Sequence, residues 1–399
     1  MSNLRILVLT SSTGGGHDAR AVAFSKWVKR LYGWSVEVRI ESMLEDSSVL
    51  NRFGVRFYNF IQKHAPWFHH PFYLVVEGLR FINGSRVFLG SRYYTEVLEN
   101  YQPHLVFSVH DCLNRGYFQT ARRVLGASRV RCATYCSEFS GGYGYSRNWI
   151  EPTVDLYISR TRTARDYAIK LGMNRDKIRV RGHLMEPRVY EEVFIMKDRQ
   201  QFQRDNLGLD PKRFTVFLAT GGAGANNHLE LLPVLARFAD RVQAIVVCGR
   251  NHRSFLRVNE WRKLHPKLLC HVEGYCQQMH LLVQSSDVIV TRGGTTTCAK
   301  AMHYRCPIIL NGFKGIMPQE RLTVKFFTQD EASQVITKAS ELERILATWL
   351  EDHSAYEELK ERFCSLRYDE QPTLVIKELV ELAREAATAQ IVETEPAIV

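Results

Sequence analysis

The chain contains two successive series in which short β-branched segments alternate with amphipathic stretches, and this repetition restricts the fold more than any other feature. The segments predicted to be strands are 5–10, 35–40, 105–109, 130–135 and 154–159 in the first series, and 214–220, 243–248, 268–273, 288–291 and 307–310 in the second. Strands that alternate with helices in this way form a parallel sheet with crossover helices. We therefore predict an α/β protein with two Rossmann-like, doubly wound domains.

A polar, charged stretch at about 196–213, which ends in Asp210-Pro211, separates the two series. It predicts an N-terminal domain at 1–212 and a C-terminal domain at 213–388. The last residues, 389–399, lack apolar periodicity and are predicted to be a disordered tail. A length of 399 residues, 45% of them hydrophobic, is sufficient for two separate cores.

The net charge is positive, with 53 Lys and Arg against 42 Asp and Glu. Such a balance favours anionic partners, namely phosphates, an anionic membrane surface or nucleic acid. Nucleic acid is discounted, because nothing but net charge supports it. No apolar run approaches the ~20 residues that cross a bilayer, and no signal-peptide pattern begins the chain, so we expect a cytoplasmic or peripheral membrane protein. The nine cysteines form no Cys-x-x-Cys pair, which argues against both a disulfide framework and a zinc site.

The first candidate site follows the first predicted strand, at Gly14-Gly15-Gly16-His17. Backbone N–H groups at such a helix start can face an anionic ligand, and Gly14-x-Gly16-x-x-Ala19 with Glu41 downstream also fits a loose dinucleotide fingerprint. A tight turn without ligand is the alternative. His17 can take a proton from an acceptor hydroxyl at neutral pH, although a helix-capping or substrate-positioning histidine remains possible. His110, Asp111 and Glu138, at predicted strand ends, are reserve candidates for the base.

Two further glycine-rich corners follow strands of the second series. The turn at 220–224 includes Gly222 and Gly224, and the segment 291–297 places Gly293-Gly294 before Thr295-Thr296-Thr297. Free N–H groups and hydroxyls in that first helical turn would hold a diphosphate. Helix packing and helix capping are the alternatives for the two corners.

At these residues the chain resembles the family of galactolipid (monogalactosyldiacylglycerol) synthases and processive diacylglycerol glucosyltransferases, and more remotely the MurG glycosyltransferases. The matching pieces, in family order, are Ser12-Thr13-Gly14-Gly15-Gly16-His17, 103–110, Val247-Cys248-Gly249-Arg250-Asn251, Gly274-Tyr275 with Met279, 287–294, and 307–311 leading to Gln319-Glu320.

The resemblance implies a GT-B architecture, with two Rossmann-like domains facing a cleft, and an inverting transfer of a hexose from a UDP-sugar to a lipid acceptor such as diacylglycerol. It also implies the roles of individual residues. His17 would activate the acceptor hydroxyl. The nucleotide sugar would be bound by the remaining motif residues: Gly16, Gly222, Gly224, Asn251, Tyr275, Met279, Gly294, Thr295, Thr296, Lys300, Gln319 and Glu320. Among these, Gly294 to Thr296 would bind the diphosphate, Tyr275 and Met279 would frame the base, and Gln319-Glu320 would hold sugar hydroxyls.

The chain departs from the family in two places. Lys300 replaces a glutamate that grips the ribose, which leaves open another base, an acidic sugar or a non-catalytic nucleotide-sugar-binding protein. The loop 311–320 is about two residues longer than usual and lacks its Pro-Gly, so the sugar is not determined.

The chain contains no Asp-x-Asp pair, so we predict that it needs no metal and no cofactor, with Arg250, Arg292 and Lys300 as fixed cations beside the diphosphate. The aromatic and basic insertion at 51–94 either contacts a membrane interface or packs as core. Two rival enzymes remain: a dinucleotide-dependent oxidoreductase, and a nucleotide-sugar epimerase that would need no acceptor.

Overall fold

The chain forms two units in the computed structural model, which describes residues 3–79, 86–87, 89–219 and 227–394. The first unit comprises Met1–Asn59, His70–Pro187 and Tyr368–Val399, and the second comprises Phe60–His69 and Arg188–Arg367. Each contains a six-stranded sheet in which every pairing of neighbouring strands is parallel. This confirms the predicted α/β class.

The sheet of the first unit has the order β2-β1-β3-β4-β5-β6. Its strands are β1 (Leu4–Thr10), β2 (Val36–Ser42), β3 (Leu105–Ser108), β4 (Arg131–Cys136), β5 (Leu156–Ser159) and β6 (Ile178–Val180). The helices are α1 (Gly16–Tyr32), α2 (Met43–Ser47), α3 (Val49–His64), α4 (His69–Leu79), α5 (Ser91–Tyr101), α6 (Tyr117–Leu125) and α7 (Arg162–Lys170). The central strands β1 and β3 are almost completely buried, because helices cover both faces of a doubly wound sheet.

The sheet of the second unit has the order β12-β11-β10-β7-β8-β9. Its strands are β7 (Phe214–Leu218), β8 (Val242–Val247), β9 (Cys270–Glu273), β10 (Val288–Thr291), β11 (Ile308–Asn311) and β12 (Ser333–Ile336). The helices from the junction onward are α8 (Pro187–Glu191), α9 (Met196–Asp205), α10 (His228–Ala236), α11 (His252–Leu264), α12 (Met279–Gln284), α13 (Thr295–His303), α14 (Pro318–Thr328), α15 (Ala339–Glu351) and α16 (His353–Ser365). A core of strand residues packs against Trp349 and Tyr356 of the last two helices.

The units differ from the predicted boundary at 212/213 in two places. The first lies in the polar stretch at 196–213, which predicts a separator between the domains. Its helix α9 packs with the second unit. Arg199 pairs with Asp287 at 2.6 Å, and Gln203 donates to the carbonyl oxygen of Ser285 at 2.8 Å. The polar residues of α9 therefore make specific contacts, which composition alone did not indicate.

The second difference is the C-terminal helix, α17 (Pro372–Thr394), which returns to the first unit. Its apolar face is fully buried there, and Glu378 pairs with Arg181 after β6. Gly182 permits the close crossing at the start of the return, since a Cβ at this residue, φ +73, would lie 1.4 Å from the Asp369 carbonyl oxygen. The helix includes residues 389–394 of the predicted disordered tail, and 395–399 lie outside the described residues.

The predicted aromatic insertion at 51–94 covers α4 and most of α3, and its residues 80–85 and 88 lie outside the described residues. These two helices and the turn between them carry several exposed apolar side chains. Leu50, Phe53, Trp67, Leu74 and Val75 are each more than half exposed. Within the described ranges, no helix has both the length and the hydropathy that crossing a bilayer requires.

Candidate active site

Both sheets have a switch point, where the chain turns from one side of the sheet to the other. It lies between β1 and β3 in the first unit and between β7 and β10 in the second. Ligands of doubly wound sheets bind outside the carboxyl ends of the strands at this position. His17 follows β1, His110 follows β3, and Gly293-Gly294 follow β10, so the fold brings these predicted site residues to the switch points.

Side chains hold the first glycine loop in place. Ser12 N donates to Glu45 Oε1 at 2.6 Å, and Gly14 N donates to Asn59 Oδ1 at 3.0 Å. Asp18 accepts from the hydroxyls of Thr10, at 2.9 Å, and Ser12, at 2.6 Å. The amides of residues 12 and 14 are thus hydrogen-bonded within the protein. The loop therefore supports the start of α1.

His17 lies in the first turn of α1, and Gly16 is the first residue of that helix. The Nδ1 atom of His17 lies 2.6 Å from the carbonyl oxygen of Val109. Because that oxygen can only accept, and lies closer to Nδ1 than the Arg20 guanidinium at 2.9 Å, we assign the ring proton to Nδ1, so that Arg20 acts on the ring through its charge and not as a hydrogen-bond donor. Nε2 then carries the lone pair, and no residue in the described part of the chain forms a hydrogen bond with it. This is the orientation that a general base requires.

Two basic side chains adjoin the His17 ring. The His110 ring centroid lies 4.2 Å away, and Arg20 Nη2 lies 2.9 Å from His17 Nδ1. Burial, then the neighbouring His110 and Arg20, lower the pKa of His17 well below 6.5. At neutral pH the imidazole is therefore neutral and able to accept a proton.

Asp111 provides a compensating negative charge. Its Oδ1 lies 3.1 Å from His110 Nδ1. Burial alone would raise the pKa of Asp111, but the hydrogen bond to His110 and the charges of His110 and His17 lower it, so the carboxylate remains ionised. An ionised Asp111 favours the imidazolium form of His17 once the proton has been taken.

One group of possible metal ligands was found in the described ranges, at His110, Asp111 and Cys112. Both nitrogens of His110 already have protein neighbours, since Nε2 lies 2.9 Å from Thr13 Oγ1 and Nδ1 lies 3.2 Å from Cys112 N. Burial and then Asp111 raise the pKa of the Cys112 thiol well above 9.0, which disfavours the thiolate that a metal binds. We assign no metal to this group.

The corner between β10 and α13 has the properties expected of an anion site. The first bond inside the helix runs from Cys298 N to Gly294 O at 3.1 Å, so the preceding amides, those of Thr295 to Thr297, are not used in the helix. A Cβ at Gly294 would meet no described atom within 4 Å, so the space beside this glycine is open among the described residues. Thr296 Oγ1 is buried and has no hydrogen-bond partner among the described residues.

Arg292, a predicted diphosphate cation, is instead bound to the protein. Its guanidinium contacts Glu320 at 3.1 Å and donates to the carbonyl oxygens of Phe313 and Gly315, both at 2.8 Å. Glu320 also accepts from Met317 N at 3.0 Å, and its burial raises its pKa against the opposing effect of Arg292. The pair fixes the loop 312–317, while a sugar contact by Glu320 stays a prediction.

The ends of β8 and β9 carry the residues predicted to frame a base. Tyr275 is 56% exposed, and the Arg250 guanidinium lies 4.7 Å from the centroid of its ring. Asn251 caps α11 by accepting from Ser254 N at 3.1 Å, and Met279 is the first residue of α12. The arrangement presents an aromatic face beside a cation.

The remaining predicted residues are distributed as follows. Lys300 lies one turn after Thr296 on α13, and its charge acts on Cys276 and His280 after β9, where burial is the main cause that raises the pKa of Cys276 and lowers that of His280. Gln319 lies in the first turn of α14. Gly222 and Gly224 lie outside the described residues.

Three contributors to the site were not predicted from the sequence: Glu45, Asn59 and Trp149. Glu45 and Asn59 bind the glycine loop from α2 and α3. The ring centroid of Trp149 lies 6.3 Å from that of His17, and the two rings are tilted relative to each other. All three are distant from His17 in sequence and lie in no recognisable motif.

The known proteins that this chain resembles in sequence are glycosyltransferases and glycolipid synthases. The sequence model of the glycosyltransferase family 28 C-terminal domain matches residues 215–362. Monogalactosyldiacylglycerol synthase 1 of Arabidopsis thaliana is 27% identical over 86% of this chain, which spans 64% of that relative's length. The processive diacylglycerol beta-glucosyltransferase of Bacillus licheniformis is 21% identical, with 95% of each chain covered.

Two solved structures support the same fold at low identity. MurG of Acinetobacter baumannii gives a TM-score of 0.59 at 13% identity, with 96% of this chain and 99% of that chain covered. A putative UDP-N-acetylglucosamine 2-epimerase of Listeria monocytogenes gives 0.58 at 11% identity, with 99% and 98% covered. The second similarity shows that the fold alone does not separate transferases from epimerases.

The ordered motifs, the two parallel sheets and the matched C-terminal domain point to one group of nucleotide-sugar-dependent enzymes. In sequence this chain is similar to galactolipid synthases and processive diacylglycerol glucosyltransferases, its residues 215–362 match the glycosyltransferase family 28 C-terminal domain, and its fold is the GT-B fold seen in MurG.

Proposed function

We propose that the chain transfers a hexose from a UDP-sugar to the hydroxyl of a lipid acceptor such as diacylglycerol, with inversion at the anomeric carbon. The observation that carries the proposal is the hydrogen bond from His17 Nδ1 to the Val109 carbonyl oxygen, which leaves Nε2 without a partner among the residues that the structure describes. The relatives named above act, by their names, on diacylglycerol, which supports the choice of acceptor.

The chemistry is a single displacement. The acceptor oxygen forms a bond to the anomeric carbon, the bond from that carbon to the diphosphate breaks, and the acceptor proton moves to His17 Nε2. The leaving UDP carries the electron pair of the broken bond, and the start of α13, with the backbone amides of Thr296 and Thr297 and the Thr296 hydroxyl, is suited to bind its phosphates. No step requires a metal or a cofactor.

The dinucleotide alternative loses its main support in the first unit. Glu41, the residue expected to hold a ribose, bonds to Arg39 at 2.5 Å and accepts from Tyr93 Oη at 2.9 Å. Gly14 N, which would face a pyrophosphate, is bonded to Asn59. Both groups are therefore used within the protein.

The exposed apolar residues of α3 and α4 support a lipid acceptor presented by a membrane. Leu50 and Phe53 on α3 are 62% and 64% exposed, beside exposed Arg52 and Arg56. Leu74 and Val75 on α4 are 63% and 64% exposed. Apolar side chains flanked by arginines are suited to the interface of an anionic bilayer.

The direct test is incubation with radiolabelled UDP-galactose or UDP-glucose, with and without vesicles that contain diacylglycerol. We expect UDP and a lipid-soluble β-glycoside only when diacylglycerol is present. An altered nucleotide sugar without acceptor would instead indicate an epimerase. Absence of glycolipid with every UDP-hexose tried would refute the proposal.

Membrane contact is tested separately by flotation with vesicles of phosphatidylcholine and phosphatidylglycerol. We expect Phe53→Ser with Leu50→Ser to reduce flotation strongly. Trp34→Ala is the matched control, because Trp34 is 86% exposed but lies on the turn before β2. Equal loss in both variants would contradict a specific α3–α4 contact.

A further inference from the structure

A buried carboxyl group near His17 has no assigned role in the transfer. Glu138 follows β4 by two residues and is only 8% exposed. Its Oε1 accepts from Trp149 Nε1 at 3.4 Å, whereas Oε2 is buried and lacks a hydrogen-bond partner in the described part of the chain. A buried polar atom without a partner is costly, so its retention points to a ligand.

The contact with Trp149 determines what kind of ligand. An indole N–H can only donate, so Oε1 acts as the acceptor of the carboxyl group. In the neutral acid the proton therefore lies on Oε2, which becomes a donor directed at nothing in the protein. A ligand that satisfies it must offer a hydrogen-bond acceptor.

The surroundings allow the neutral acid at physiological pH. Burial and then the charge of Asp111 raise the pKa of Glu138 to about 7, against the opposing effects of Trp149 and of the Arg160 and Arg20 guanidinium groups. The titratable groups whose charge or ionisation is linked to Glu138 come from several elements: Arg20 of α1, Tyr73 of α4, Asp111 after β3, Cys136 of β4, Tyr145 after β4 and Arg160 after β5.

The same indole connects Glu138 to the candidate base. Trp149 bonds to Glu138 Oε1, and its ring lies 6.3 Å from the His17 ring. The side chains of His17 and Glu138 therefore lie beside one tryptophan, and each carries a polar atom, His17 Nε2 and Glu138 Oε2, that has no hydrogen-bond partner among the described residues. A molecule that satisfies both carries a hydroxyl for His17 and, a short distance away, a carbonyl for Glu138. A glycerolipid with a free hydroxyl next to an ester has this pair.

We propose that Glu138 binds the acceptor, donating from Oε2 to an ester carbonyl of the glycerolipid. The inference rests on the proposed function for the identity of the acceptor class. Oε2 is covered in this structure, so the acceptor reaches it through a local movement.

The test compares an ester-linked acceptor, dioctanoylglycerol, with its ether analogue, dioctylglycerol, which lacks both carbonyls. Binding is measured without donor by calorimetry, so that it does not depend on turnover. We expect wild type to prefer the ester by about tenfold, the loss of one hydrogen bond of ordinary strength. Glu138→Ala should abolish the preference, and Glu138→Gln should retain it because the amide N–H₂ can donate.

The matched control is Glu151→Gln, since Glu151 is 3% exposed but already bonded to Thr153 N at 3.0 Å and Thr153 Oγ1 at 2.7 Å. The preference of wild type for the ester should also fall between pH 6 and pH 8, since the acid form is lost as pH rises through about 7, and this change should be absent in Glu138→Gln.

Equal weakening of ester and ether binding in Glu138→Ala would mean a structural role and would overturn the proposal. No ester preference in wild type would overturn it too. If the ester preference is present but no glycoside forms with any donor, the proposed transfer fails while the Glu138 contact stands.

Discussion

The Arg292–Glu320 pair provides a quantitative test of how the donor-side loop is held. The two side chains are 13% and 7% exposed, and the guanidinium also donates to two carbonyl oxygens of the loop 312–317. Removing one partner of a buried ion pair costs about 3–5 kcal/mol, because the other charge remains buried. Since Arg292 keeps its two carbonyl partners in Glu320→Ala, we expect a loss near the lower end, about 3 kcal/mol.

For a unit of this size, such a loss lowers the melting temperature by about 6–12 °C, which differential scanning calorimetry resolves. The control is Glu343→Ala, which removes the exposed partner of Arg237, and it should cost less than about 1 kcal/mol. Replacing both charges, as in Arg292→Met with Glu320→Leu, should restore most of the stability, because a buried pair can often be exchanged for apolar side chains.

A Glu320→Ala loss no larger than that of the exposed control would refute this assignment. The double variant also separates the two roles of Glu320. A folded double variant that binds UDP normally but no longer discriminates among UDP-hexoses would support the predicted contact with sugar hydroxyls.

Three further predictions concern the donor. Thr296→Val should weaken UDP binding by about tenfold or more in titration calorimetry, since a hydrogen bond to a charged phosphate is lost, while leaving stability unchanged; unaltered affinity would remove Thr296 from the phosphate site. Tyr275→Ala should weaken binding of UDP but not of inorganic pyrophosphate, and equal effects on the two would exclude a contact with the base. Turnover should persist in EDTA, and a strict requirement for added Mg²⁺ or Mn²⁺ would contradict the metal-independent mechanism.

Much of the fold follows from local sequence patterns. Each of the ten predicted strands is present. They could be predicted because buried parallel strands appear in a sequence as apolar runs between turns. The edge strands β6 and β12 were not predicted. They are only Ile178–Val180 and Ser333–Ile336, and their mixed polar and apolar residues resemble loop.

The two units divide the chain differently from the predicted domains for another reason. Nothing local distinguishes α17 from a helix of the second unit. Its return depends on tertiary contacts such as Arg181 with Glu378 and the close crossing at Gly182. Contacts between residues distant in sequence leave no periodic signal in one sequence.

The site shows the same division. The positions of His17 and Gly294 could be predicted, since glycines after strands mark switch points. The ion pair between Arg292 and Glu320 could not be predicted, because the same two residues would also suit direct binding of a diphosphate and a sugar. Trp149 and the anchors of the glycine loop become visible only when distant segments come together.

The base role of His17 is tested most directly by the turnover of His17→Ala between pH 5 and pH 9, compared with wild type and with His353→Ala, a change at an exposed histidine. At saturating acceptor, wild-type turnover should be constant at neutral and alkaline pH and should fall on the acid side only well below pH 6.5, where His17 becomes protonated. His17→Ala should lose at least about a hundredfold in turnover and also this acid limb, with UDP affinity unchanged. Wild-type turnover and an intact acid limb in His17→Ala would contradict proton transfer to this imidazole.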